Sequence, residues 1–432
     1  MAGLVYAIPM RILHIIQRYW PAQGGAETHF AELSQRLAAD GHDVTILTTD
    51  ALDFELFWEP RRRRIAARED FRQGVRILRF PVRHLPLARW GYPAWRRGLW
   101  ILSHLPWPPT PTLAWLSRMT PYVPDLWRWL ATTSEPFDLV AGMTICFEPL
   151  LEAGLRFARR RGIPFVAYPL THLGVGPTPG KDAISSFYTM RHQVATVLAS
   201  DAAVMQTSTE AHFYLERGLS AGQAVVAGPG VDPAATLGGN GGQARQTLGL
   251  RGPIVLVLGT LSYDKGSVHV VEAVTRLWQQ GYELELVLAG NPVAAFRRYL
   301  EKLPHSVQQR LHVLGPVDEQ TKRDLLAAAD LLAMPSRTDS FGIVYLEAWL
   351  YQKPVIGCRA WGIDDVIRHG EDGLLVSFGD VDALAAAIAY LLDHPQQAQA
   401  MGVRGSAKVY AYHTWAHKYA ITRDLYARLV GE

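Results

Sequence analysis

The chain has 432 residues, enough for two to four domains at roughly 100–200 residues each. Hydrophobic residues make up 49% and charged residues 19%, a globular composition that excludes disordered, fibrous and collagen-like chains. Lys and Arg total 43 against 40 Asp and Glu, and the resulting +3 excludes a chain-wide nucleic-acid binder.

Residues 1–9 lack a positively charged start and carry too short an apolar run for a signal peptide, so they read as an upstream start or an arm. The first strand is predicted to begin beside Met10. Short apolar runs then alternate with helical patterns. Strands are predicted at 11–17, 43–48, 137–142, 164–170, 202–206 and 224–227, then at 254–259, 284–290, 312–314, 331–334 and 354–357. Helical patterns occupy 27–39, 268–280, 319–328, 344–350 and 403–429. Apolar strands alternating with helices imply parallel sheets covered on both faces.

The alternation breaks at Gly230–Pro253, which holds seven glycines. The composition of Gly238-Gly239-Asn240-Gly241-Gly242 is that of a flexible linker. The expected organisation is therefore α/β, with two doubly wound, Rossmann-like domains facing a central cleft. Residues 1–235 form the first domain, with a basic Trp-rich insertion near 58–130; 236–253 form the linker and 254–410 the second domain. The C-terminal helix, 411–432, is expected to pack back on the first domain.

Gly98–Ser117 lacks Lys, Arg, Asp and Glu and is long enough to cross a bilayer. Pro106, Pro108, Pro109 and Pro111 remove helix donors in its middle, so no transmembrane helix is expected. Arg61–Arg97 holds twelve arginines, no lysine and two acids, Glu69 and Asp70. Trp90, Trp95, Trp100, Trp107, Trp115, Trp127 and Trp129 overlap or follow it. Arginine with tryptophan suits an anionic membrane surface; the alternatives are a solvated basic loop over a local Trp core, or a nucleic-acid surface. Cys146 and Cys358 match no zinc or redox spacing, which favours a cytosolic chain.

Several short motifs carry chemistry. Gly24-Gly25 follows the first strand and opens a helix, where glycines admit a ligand and the helix start favours anions. It lacks the three glycines of a dinucleotide fingerprint, which disfavours a dehydrogenase. Gly174–Lys181 (GVGPTPGK) misses the phosphate-loop spacing at Val175 and Asp182. Asp380-Val381-Asp382 precedes a helix and reads as capping rather than metal ligation. His172 follows the strand at 164–170 at its C-terminal end, the ligand side of a parallel sheet. Lys265 ends a loop that starts a helix, a suitable place for phosphate oxygens. The strongest signal is Met334–Ala348 (MPSRTDSFGIVYLEA): Asp339 in a loop and Glu347 on the next helix stand eight positions apart, with Gly342 between. Two carboxylates so placed can take two ends of an elongated substrate while helix-start amides take phosphates.

Together these residues resemble glycosyltransferase family 4, the retaining transferases of GT-B fold. The resemblance runs from Arg11 to about His413 and is densest over Gly259–Gly379. Gly24-Gly25 and His172 match the family's first-domain motifs, and Gly259-Thr260-Leu261 with Lys265-Gly266 partly matches G-R-L-x-x-x-K-G. Asp339 and Glu347, with Ser340, Phe341, Gly342, Ile343 and Val344 between, match E-x7-E. Trp361–Leu375 matches the segment that follows.

The resemblance implies a nucleotide-diphosphate sugar as donor substrate, no cofactor, no metal, and a lipid-linked or glycan acceptor. Lys265 would neutralise the diphosphate and Glu347 would bind ribose hydroxyls. Asp339, with the amides of Phe341 and Gly342, would hold the sugar, which His172 would contact from the acceptor side. The expected place is the cytoplasmic face of the cell membrane, in glycolipid or cell-surface polysaccharide synthesis. Thr260 stands where the family has an arginine, Asp339 and Asp365 where it has glutamates, and Asn291-Pro292 where it has an acidic-glycine pair. With that arginine missing, Arg337 is a candidate second cation or a surface residue. A sugar epimerase or phosphorylase of the same architecture, and an inactive membrane-associated binding subunit, are the competing functions.

Overall fold

The computed structural model describes residues 9–431, so the expectation for the N-terminal arm lies, up to Ile8, outside the described residues. Two compact units are present. The first comprises the described residues up to Leu173 together with Gly180–Gly228 and the chain from Tyr419 onward. The second comprises Gly174–Pro179 and Pro229–Lys418.

The first unit is built on eight strands: β1 (Arg11–Ile15), β2 (Asp43–Thr49), β3 (Glu69–Arg72), β4 (Val75–Phe80), β5 (Leu139–Met143), β6 (Phe165–Tyr168), β7 (Ala202–Met205) and β8 (Ala224–Val226). Their order is β3-β4-β2-β1-β5-β6-β7-β8. All neighbours are parallel except β3 and β4, which form an antiparallel edge hairpin. Ile12, Leu13 and Ile15 are fully buried, as a strand covered on both faces requires. Burying each such aliphatic side chain contributes about 1.5–3 kcal/mol relative to exposure.

The second unit holds β9 (Ile254–Leu258), β10 (Glu285–Ala289), β11 (Leu311–Gly315), β12 (Leu331–Ala333), β13 (Val355–Cys358) and β14 (Gly373–Val376), in the order β11-β10-β9-β12-β13-β14. All neighbours are parallel. The chain runs outward from β9 on one side and returns to β12 on the other. The crevice at the C-terminal ends of β9 and β12 is therefore the point where strand order reverses, and ligands of doubly wound sheets bind at such points.

Three sequence expectations are changed by the fold. The glycine-rich stretch 236–253 is not an extended linker: Gly241–Leu248 is a helix, capped by the Asn240 side chain accepting from Gln243 N at 3.0 Å. The helix Glu319–Ala328 packs directly on this stretch. A Cβ at Gly239 would lie 2.0 Å from the Arg323 carbonyl oxygen, and one at Gly241 would lie 2.8 Å from the Ala327 carbonyl carbon. Close backbone approach explains Gly239 and Gly241, while Gly238 and Gly249 have positive φ with open space around them.

The basic segment is likewise structured, since it contains β3 and β4. Among the described residues, seven of its twelve arginines pair with carboxylates: Arg62, Arg63, Arg64, Arg76, Arg79, Arg83 and Arg96. Several partners, such as Asp50, Asp53 and Glu148, lie outside the segment. Its field is thus weaker than composition alone suggests. The run Gly98–Ser117 is broken between the helices Ala88–Ser103 and Thr110–Ser117, and no described helix is long and apolar enough to cross a membrane.

The C-terminal helical pattern is also interrupted. A helix to Lys408 passes through a π-turn at Val409–His413, and Thr414 is extended at ψ 153° before the helix Trp415–Val430. From Tyr419 onward this last helix belongs to the first unit. There the Tyr168 hydroxyl donates to the Tyr426 hydroxyl at 3.0 Å, and the buried His14 Nε2 lies 3.2 Å from the same oxygen.

Candidate active site

In the second unit two loops meet beyond β9 and β12. The first, Gly259–Gly266, leaves β9 and starts the helix Ser267–Gln279. Gly266 caps that helix at φ 78°, and a Cβ there would stand 2.5 Å from the Pro335 carbonyl oxygen. The second loop, Met334–Gly342, leaves β12 and starts the helix Ile343–Leu350. The Tyr345 hydroxyl ties that helix to the strand end by donating to the Met334 carbonyl at 2.6 Å.

Polar contacts join the loops. Arg337 N donates to the Asp264 carbonyl at 3.0 Å, and its guanidinium holds the Asp264 carboxylate at 2.7 and 2.9 Å. Arg337 is thereby committed to Asp264 and stacks over Phe378 at 4.6 Å. The Lys265 ammonium pairs with the Asp339 carboxylate. Sequence reasoning nominates those two residues separately; the fold makes them partners. Thr260 is exposed, beside the half-buried Gly259.

Glu347 sits on the helix Ile343–Leu350, half-buried, and accepts from Lys322 Nζ at 3.0 Å. Burial raises its carboxyl above the ordinary range, against the pull of Lys322. Burial works against the Lys322 ammonium as well, but Glu347 and Glu319 outweigh it and hold it above its ordinary value. Ser340, Ile343 and Val344 are half-buried, and Phe341 is buried edge-on to His413 at 5.7 Å. The first amides of the helix Ile343–Leu350 have no intrahelical acceptor and present partial positive charge. The Lys265–Asp339 pair and a helix start thus stand at the sheet's switch point, and the helix that begins there carries Glu347 with its partner Lys322.

Sequence reasoning missed Lys322, which stands 25 residues before Glu347 and belongs to no motif. It also missed the Arg337–Asp264 pair and Tyr345. A signal existed for the pair, because Asp264 adjoins Lys265. The Asp380-Val381-Asp382 run caps a helix, Asp380 accepting from Ala383 N at 2.9 Å while Asp382 pairs with Arg276.

Gly24, Gly25 and His172 are in the first unit. The helix Gly25–Ala39 begins at the glycine pair, and the Glu27 carboxylate folds back onto Gly24. Buried Glu27 accepts from Arg18 Nε at 2.9 Å and Gln17 Nε2 at 3.3 Å. His172 lies in the loop after β6, edge-on to Tyr188 at 4.7 Å. The helix Ser208–Leu215, which follows β7, anchors this loop: Thr171 N donates to Glu210 at 2.6 Å, and Gln206 N donates to the other carboxylate oxygen at 2.7 Å. Burial drives the Glu210 carboxyl up to about 7 despite these amides.

Two family models match, Glycosyltransferase Family 4 over residues 23–235 and Glycosyl transferases group 1 over residues 243–408. The chain belongs to glycosyltransferase family 4. Both halves of this family 4 chain are covered, and the second match spans the two loops just described.

Among curated relatives, a GDP-mannose-dependent monoacylated alpha-(1-6)-phosphatidylinositol monomannoside mannosyltransferase of Corynebacterium glutamicum is 32% identical over 170 residues, 38% of this chain and 44% of that protein. A D-inositol 3-phosphate glycosyltransferase of Xylanimonas cellulosilytica is 31% identical over 249 residues, 54% of this chain and 58% of that protein. The chain spans about half the length of the curated relatives it matches. In fold, the sucrose-phosphate synthase of Thermosynechococcus elongatus matches with a TM-score of 0.72 at 22% identity, over 97% of this chain and 99% of that one. Anabaena HepE in complex with UDP matches with a TM-score of 0.70 at 18% identity, over 97% and 100%. The two parallel-sheet domains are those of the GT-B fold.

Proposed function

We propose that this chain is a retaining, metal-independent glycosyltransferase that moves a sugar from a nucleoside-diphosphate donor to a lipid-linked or glycan acceptor. The observation that carries the reading is the Lys265–Asp339 pair between the loops after β9 and β12, with the second of these loops starting the helix that carries Glu347, itself paired with Lys322. Such a set suits a ligand with a central polyanion and hydroxyls at both ends. The relatives' names add donor chemistry, since one is GDP-mannose-dependent and a fold neighbour is in complex with UDP.

In this reading the donor diphosphate takes Lys265 from Asp339. Lys265 and the amides at Ile343 and Val344 then stabilise charge growing on the leaving phosphate. The Asp339 carboxylate then accepts hydrogen bonds from sugar hydroxyls, and Glu347 accepts them from the ribose. The acceptor hydroxyl attacks the anomeric carbon from the side that the diphosphate leaves. Its proton passes to the departing phosphate oxygen, so configuration is retained. The first unit, with Gly24, Gly25 and His172, is the acceptor-binding half.

The exposed Leu87, Trp90, Trp107 and Trp115 support a peripheral position at the inner face of the cell membrane. A glycolipid or cell-surface polysaccharide is the corresponding product. The experiment is a thermal-shift screen of GDP, UDP and ADP and their sugars, followed by NMR of the anomeric configuration in the transfer product. The reading fails if no nucleoside diphosphate raises the melting temperature, or if the product is inverted.

A further inference from the structure

The first unit contains a cavity of about 410 Å³ whose lining includes none of the candidate site residues named above. This volume falls within the roughly 300–1,000 Å³ of small-ligand pockets. Its lining includes Trp100, His104, Lys181, Asp182, Arg191 and Arg217, drawn from two helices, the loop after β6 and the start of a third helix. Lys181 is the last residue of the rejected phosphate-loop match Gly174–Lys181.

Three cations face a single carboxylate among these residues. Lys181 is exposed and forms no hydrogen bond or ion pair with any described residue. Arg191 donates from one terminal nitrogen to the Leu102 and Pro108 carbonyls and from the other to Thr110 Oγ1 at 3.4 Å, all neutral acceptors that leave its charge uncompensated, and its Nε is buried without a partner. Arg217 lies over the Phe213 ring at 3.6 Å and donates to the Phe213 carbonyl at 2.7 Å. Its carboxylate contact, with largely exposed Glu216, is loose at 3.7 Å. Asp182 Oδ1 is occupied by the Ile184 and Ser185 amides at 2.9 and 2.8 Å. The cavity therefore has positive charge to spare, as a lysine point charge and planar guanidiniums from separate elements. That combination fits the several oxygens of one phosphate.

We propose that this cavity binds a phosphate ester, with the phosphate among Lys181, Arg191 and Arg217 and the ester's alcohol against Trp100 and Phe213. The ester can come from a free sugar or polyol phosphate or from a phospholipid headgroup. Ile101, Leu105 and Trp107, exposed at 48%, 48% and 73%, adjoin the lining residues Ser103 and His104 in sequence, which suits the headgroup source.

The test titrates the full chain with glycerol 3-phosphate by calorimetry, and measures co-sedimentation with phosphatidylcholine vesicles with and without phosphatidylglycerol. Wild type, Lys181→Glu, Arg217→Gln and Lys265→Ala are compared, each checked for a native circular dichroism spectrum. Glycerol 3-phosphate binding that weakens at least tenfold in Lys181→Glu, and survives Lys265→Ala, supports the site with a free ester. Binding only to phosphatidylglycerol vesicles, lost in Lys181→Glu, supports it with a lipid headgroup. Arg217→Gln reports the same loss should Lys181→Glu misfold. Absence of binding in both arms, wild-type binding by both pocket variants, or loss confined to Lys265→Ala overturns the proposal.

Discussion

Lys265 and Asp339, 74 residues apart in sequence, form an ion pair where the loops after β9 and β12 meet. In the proposed function one of these side chains serves phosphate and the other sugar, so donor binding is expected to part them. Asp339→Asn is expected to free Lys265 and remove a negative charge near the diphosphate. Nucleoside-diphosphate affinity should rise severalfold while kcat falls at least tenfold, because sugar positioning is felt in the transition state. Calorimetry and transfer rates check this, and weaker nucleotide binding by the variant would contradict it.

Lys265→Ala should lower kcat/KM at least tenfold. A charge-assisted hydrogen bond contributes about 1.5–3 kcal/mol, or roughly ten- to a hundredfold in rate. Thr260→Ala should cost much less, since Thr260 is exposed and offers only a neutral bond near 1 kcal/mol. Arg337 is held by Asp264 and cannot replace the missing arginine without giving up that pair. A larger loss from Thr260→Ala than from Lys265→Ala would reverse the assignment.

Glu347→Ala should weaken nucleotide binding at least tenfold with little loss of stability. Lys322 keeps Glu319 at 2.7 Å, so the variant leaves no unpaired buried ammonium. A melting temperature that collapses while affinity holds would show Glu347 to be a structural partner of Lys322.

Glu210 predicts a pH dependence of stability. Burial raises its folded carboxyl from 4.5 to about 7, so the folded chain keeps a proton that the unfolded chain has released. The associated stability is fully present below pH 4.5 and is lost as pH rises through about 7, by roughly 3 kcal/mol in total. Glu210→Gln removes this titration but sets an amide against backbone donors. The variant should be less stable than wild type near pH 4.5, and the gap should narrow or reverse by pH 8. A gap independent of pH, measured by thermal melts, would contradict the assignment.

Vesicle association, where present, should depend on exposed tryptophans more than on the arginine-rich run, seven of whose arginines are ion-paired. Trp90→Ser with Trp107→Ser should cut co-sedimentation severalfold, whereas Arg62→Gln should leave it nearly unchanged. The reverse ranking would restore a mainly electrostatic attachment.

The strand-helix rhythm, the eight-residue spacing of Asp339 and Glu347, and the partial motif from Gly259 to Gly266 were legible in the sequence. Each is a local pattern: apolar strands must be covered on both faces, and a strand end, polar loop and helix start follow one another along the chain. These determined the α/β class, the two-unit design and the choice of site residues. What only the tertiary structure decided are relations between distant segments. Lys322 reaches Glu347 because two helices adjoin, Arg337 is taken by Asp264, and seven arginines of the arginine-rich run are paired with carboxylates largely from outside it. Gly239 and Gly241, which read as part of a linker, are instead places where a helix's backbone lies too close for any Cβ. Local propensity registers the freedom of such a residue, but the neighbour that makes the freedom necessary is supplied only by folding.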